Sequence, residues 1–288
     1  MAKIMNASSL RLSGLFGAVS LLVVGAAGCR IEAHTQTQFE DSSQPAITAK
    51  KDWNGEKITI DNGGVNPVTG TTGVEVKVDP NAKRISVSAT FAAHADDNME
   101  SDARASIKDA QQSLVIDEAN GFTIHCGHGG AHGTSNVAGS GCKLLTITIP
   151  AGSATQPLDL TVGNGNGSMR VGLANAGDVP FVRNLTVDNN GSGDVDVRAR
   201  AVKDAVIVIT GEDKVHVALP SDFSAGKISL GVNETDSAKG AARIITDFPG
   251  FVNGQAYPAN GATANAATSL SIQSKGILSV DTVTLNKF

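Results

Sequence analysis

Three successive segments within residues 158–219, LDLTVGNGNGSMRVGL, LTVDNNGSGDVDV and AVIVITGEDKVHVAL, share one plan. Apolar residues alternate with polar ones, a Gly/Asn/Asp cluster interrupts, and alternation resumes. A period of two marks a strand with one buried face. Gly, Asn and Asp tolerate positive φ, so each cluster turns the chain. The strand starts at Leu160, Leu185 and Val206 lie at a spacing that suggests stacked units. This predicts an all-β single domain, a right-handed parallel β-helix or β-solenoid. The alternative is an antiparallel β-sandwich, in which the same clusters close hairpins. Strand pairing separates the two: a solenoid pairs Leu160 with Leu185 in parallel, and a hairpin pairs Val162 with Met169.

The first 28 residues read as an export signal. Lys3 and Arg11 give a basic start, residues 15–24 an apolar run too short to span a bilayer, and Gly25, Ala26, Ala27 and Gly28 precede Cys29. Small residues ending at a Cys resemble the lipobox of bacterial lipoproteins, although Ala26 stands where that motif most often has Leu. The resemblance implies that Cys29 is lipidated and becomes the first residue of the mature chain. An ordinary cleaved signal with Cys29 incidental is the other reading. With Arg30 rather than Asp after the Cys, bacterial sorting logic directs such a lipoprotein to the outer membrane. Residues 29–54 are polar and lack periodicity, which reads as a flexible tether, so the solenoid is expected over 55–288.

Removing the signal takes away Lys3 and Arg11 and no acidic residue, moving the net charge from −5 further negative. That argues against nucleic acid and anionic headgroups as partners. Aromatic residues make up 4% of the chain, which does not suit an aromatic-lined groove. Trp53, the sole tryptophan, is expected to anchor the core or an edge rather than stack on sugar.

The period changes once. Ala103, Ile107, Ala110 and Leu114 fall at helical spacing, and Asn98 is the expected N-cap of one helix lying over the sheet.

After Ile124 comes HCGHGGAHGTSNVAGSGC. Cys126 and Cys142 are the two cysteines left beside Cys29, and in an exported chain they are expected to pair. His125, His128 and His132 can present imidazoles to copper or zinc. Against this, the loop is not helical and contains no Asp or Glu. A polar, disulfide-pinned surface loop is the preferred reading, so no cofactor is required.

Other motifs lack their context. Residues 188–194, DNNGSGD, resemble half an EF-hand loop, but Ala199 stands where a bidentate Glu is needed. Residues 163–167 run into a strand, not the helix a phosphate loop requires. Asp194, Asp196, Glu212 and Asp213 raise a polysaccharide-acting enzyme, whose two carboxylates would have to meet in a groove.

The units LTVDNNGSGDVDV and LDLTVGNGNGSMRV, with the early helix and the Cys-bounded His/Gly loop, resemble bacterial adhesins with a repetitive β-helix domain, GIN-type adhesin-head proteins, including lipoproteins of myxobacterial type. The resemblance covers roughly residues 55–285. It implies a β-helical fold, a cell-envelope location and no catalytic residue. The expected function is therefore a non-enzymatic, lipid-anchored envelope protein presenting an extended β surface to a protein or polysaccharide partner. Metal binding through His125, His128 and His132 is the alternative.

Overall fold

The computed structural model describes residues 36–63, 73–130, 139–165, 167–172, 179–223, 225–233, 244–248, 268–276 and 282–288. The chain enters as β1 (Gln36–Asp41), β2 (Ile47–Thr48), β3 (Ile58–Asn62), β4 (Gly73–Asp79) and β5 (Ser86–Asp96). A 3-10 turn leads into α1 (Glu100–Ser113), then β6 (Val115–Asp117), β7 (Phe122–Cys126) and β8 (Gly139–Pro150). The repetitive part is β9 (Leu158–Asn164), β10 (Ser168–Val171), β11 (Phe181–Asn189), β12 (Val195–Arg198), β13 (Arg200–Gly211) and β14 (Val215–Leu219). It is followed by β15 (Lys227–Val232), β16 (Ile244–Thr246), β17 (Ser269–Ser274) and β18 (Val283–Lys287).

From β9 onward successive strands alternate between two sheets. Odd-numbered strands join an eight-stranded sheet ordered β15-β17-β13-β11-β9-β3-β7-β6. Even-numbered ones join a ten-stranded sheet ordered β1-β5-β8-β4-β10-β12-β14-β18-β16, with β2 also paired to β5. The alternating apolar residues of both fill the core. Leu160, Val162, Leu185, Val187, Ile207 and Ile209 come from one sheet, and Met169, Val171, Val195, Val197, Val215 and Val217 from the other. All are nearly inaccessible, and burying each aliphatic side chain contributes about 1.5–3 kcal/mol.

The single right-handed parallel β-helix expected from the sequence is not what forms. The two sheets are mixed and sandwich-like, with antiparallel pairs β1–β5, β2–β5, β5–β8 and β6–β7 beside the parallel ones. Leu160 does pair in parallel with Leu185, and Leu185 with Ile207, while Val162 and Met169 lie in different sheets. Beyond β13 and β14, however, chain order and spatial order part. β17 lies between β13 and β15, and β18 between β14 and β16. A period of two tells which face of a strand is buried; it carries no information about the neighbour on either edge.

The stretch 29–54 read as a tether is strand-paired in its described part: β1 and β2 both pair with β5. Trp53 closes this entry, buried, with Nε1 donating to the Glu56 carbonyl at 2.7 Å. Helix α1 buries Ala103, Ser106, Ile107 and Ala110 against β5 and β8. Its N-cap is Met99, with no side-chain cap bond, not the expected Asn98.

The Gly/Asn corners carry an interior feature. Asn62, Asn164 and Asn189 end β3, β9 and β11 in register and point inward, each almost fully buried. Asn62 Nδ2 donates to Asn164 Oδ1 and Asn164 Nδ2 to Asn189 Oδ1, both at 3.1 Å. Asn164 and Asn189 also donate to the Gly167 carbonyl, at 3.1 and 3.0 Å. The ladder satisfies corner carbonyls that water cannot reach. Gly193, at φ 133°, lets the next corner approach so closely that a Cβ would sit 2.6 Å from Ser168 N.

Candidate functional site

Parallel in-register pairing turns equivalent residues into rows, with neighbouring strands about 4.8 Å apart. One outward row crosses seven strands of the eight-stranded sheet: Thr123, Thr59, Thr161, Thr186, Val208, Ser271 and Ser229. Each of the first four is centred in an apolar triad, FTI, ITI, LTV and LTV, whose flanking residues are buried. The sheet therefore holds each threonine outward. Five of the seven positions are β-branched and none is charged. Val208 is 38% exposed and neighbouring Val206 43%.

Charged residues border this neutral track on both sides. On one side, two positions along each strand, lie His125, Asp61 and Asp188; Asp61 Oδ2 is 3.0 Å from His125 Nδ1, and Lys275 Nζ is 3.2 Å from Asp188. On the other side a bulge between Val182 and Asn184 turns Arg183 onto Asp159. Arg183 Nε donates to Asp159 at 3.0 Å and Asn184 Nδ2 at 2.8 Å. The Arg183 hydrogen bonds hold the Asp159 carboxyl below its ordinary range.

The predicted metal loop is partly placed. His125 is the penultimate residue of β7, its ring half exposed, and His128 is exposed three residues later. His132 lies outside the described residues. Among the described residues no group of three His, Cys, Asp or Glu side chains is placed to hold a metal ion. The loop lacks a carboxylate in sequence, yet β3 supplies one: Asp61 is the register partner of His125. Cys126 and Cys142 are joined by a disulfide with Cα atoms 6.3 Å apart, and Gly127 N donates to Ser113 Oγ at the end of α1. Cys29 lies outside the described residues.

Two of the carboxylates considered for catalysis, Asp196 and Asp213, serve separate partners. Asp196 faces outward on the ten-stranded sheet between Arg170, at 4.0 Å, and His216, at 3.3 Å. Asp213 is at a corner, where Oδ2 accepts the Gly193 amide at 2.8 Å. Asn189, second in the EF-hand-like run, is turned into the interior ladder and Asp188 is paired with Lys275. The threonine row was missed in the sequence, although the repeated apolar-Thr-apolar triad was its visible signal.

No family model and no curated protein matches this chain. Two solved structures are similar. One is a "putative cell adhesion protein" from Clostridium sporogenes, 12% identical, with 88% of this chain and 100% of that chain covered and a TM-score of 0.45. The other is a "putative adhesin" from Bacteroides fragilis, 10% identical, with 86% and 99% covered and a TM-score of 0.17. At these scores neither likeness transfers a fold or a function.

Proposed function

We propose that this chain is a non-enzymatic, adhesin-like protein of the cell envelope, held to the outer membrane through a lipid on Cys29, and that it binds its partner with the outer face of the eight-stranded sheet. The observation that carries this reading is the uncharged threonine row, continuous over seven strands and bordered by charge. An in-register face of hydroxyls and methyls offers many equivalent contacts along one row, which suits extended association. The partner class is a protein or a polysaccharide surface.

The test is adhesion of bacteria displaying the parent chain or a Thr59→Glu, Thr161→Lys, Thr186→Glu variant, in which neighbouring new charges are opposite and so do not repel. Attachment several-fold lower at equal surface display and equal melting temperature is expected. Equal attachment would remove the face from the proposal. The anchor is tested separately: Cys29→Ser should abolish incorporation of a labelled fatty acid.

A second reading, copper or zinc binding, is favoured by one contact. The Asp61 carboxylate fixes His125 through Nδ1 and leaves Nε2 to a metal, the usual way a carboxylate orients a ligating imidazole. Calorimetric titration of the parent and a His128→Ala variant decides it: absence of heat in the parent ends this reading.

A further inference from the structure

The ten-stranded sheet carries a cleft on its outer face, well separated in the topology from the threonine row. Its floor is two cross-strand pairs, Ser88 with Thr146 and Thr90 with Leu144, on β5 and β8. Ser42 and Gln44, from the segment between β1 and β2, form its wall, and the cleft encloses about 250 Å³. None of the lining residues is charged. Leu144 is one of the large apolar side chains left open to solvent, at 40%.

The hydroxyls of Ser42, Ser88, Thr90 and Thr146 make no side-chain hydrogen bond to the protein among the described residues. The Gln44 amide is likewise idle, and its Oε1 is closed off from solvent with no partner. A polar atom in that state lacks the partner it has in water, and a group drawing the amide round about its terminal torsion would supply one. Four idle hydroxyls and one idle amide thus surround a single exposed leucine.

We propose that this cleft binds one neutral pyranose sugar unit. Such a ring has an apolar C–H face, which lies on Leu144, and a rim of hydroxyls, each able to donate and accept as Ser and Thr can. The volume equals about eight waters at 30 Å³ each, room for one ring and not for a chain. The absence of lining charge disfavours sugar acids and amino sugars bearing a free ammonium. The site stands apart from the adhesion face and does not depend on it.

The experiment is a titration of the full chain with glucose, galactose and mannose, and with glucuronate as the charged control, followed by NMR chemical shifts of Thr146, Thr90 and Leu144. Saturable shifts at those residues are expected for at least one neutral sugar with a Kd of about millimolar, and at least tenfold weaker for glucuronate. Gln44→Met and Thr146→Val should each weaken binding about tenfold without lowering the melting temperature. No saturable shift up to about 100 mM for any neutral sugar, unchanged affinity in both variants, or equal binding of glucuronate would overturn the proposal.

Discussion

Replacing Asn164 by Ala tests whether the interior amide ladder holds the corners together. Asn164 takes the Asn62 amide and donates to Asn189 and to the Gly167 carbonyl, three bonds at 3.1 Å in a site 3% exposed. At about 1 kcal/mol net for each, the loss is about 3 kcal/mol before any cavity is counted. For a domain of this size 1 kcal/mol moves Tm by about 2–4 °C, so Asn164→Ala should melt about 6–12 °C below the parent. Asn184→Ala provides the comparison, because Asn184 is exposed and its one side-chain bond goes to Asp159 on the surface. That change should stay within about 0.5 kcal/mol. The assay is thermal unfolding followed by far-UV circular dichroism, with urea unfolding to confirm that the m-value is unchanged. A melting temperature for Asn164→Ala within about 2 °C of the parent would show that the corners are set by backbone contacts and that the ladder is incidental.

Two further outcomes follow from contacts already described. Cys126→Ala with Cys142→Ala opens a loop with sequence separation 16, and the chain-entropy model puts the loss at about 3 kcal/mol; the parent under reductant should melt close to this variant, and a melting temperature indifferent to both changes would refute the estimate. Asp159 is held below its ordinary pKa chiefly by Arg183, so its contribution is present above the unfolded carboxylate pKa and is lost as pH falls through the lower folded value. The melting temperatures of the parent and Arg183→Ala should therefore differ at pH 7 and converge as pH drops below about 4; a gap that persists in acid would assign it to packing.

The sequence made legible whatever depends on one strand at a time. Alternation in LDLTV and NLTVDN put Leu160, Val162, Leu185 and Val187 inside, and helical spacing put Ala103, Ile107 and Ala110 against the sheets. Locally Asn164 and Asn189 have the character of turn formers, because Asn beside Gly at a strand end has that meaning. Their burial depends on register with a residue 102 positions away and another 25 away, which no local pattern encodes. The same limit applies to the site. The HCGHGG segment showed two imidazoles and no acid, while the carboxylate that orients His125 comes from β3, 64 residues earlier. The insertion of β17 and β18 is the largest such gap: both strands have the alternation of their neighbours, and nothing in SLSIQS or VTLNK says between which pairs they fit.

That insertion bears on how such a chain completes itself during synthesis, which runs from the N-terminus. β15 and β16 emerge before the strands they will lie beside, so the open edges of β13 and β14 must stay unmatched until residues 269–287 arrive. β17 and β18 are thus wedges between strands made earlier. A copy halted before residue 269 carries two bare rims at once, a form ready to stick to other chains and a natural mark for proteases that clear unfinished molecules.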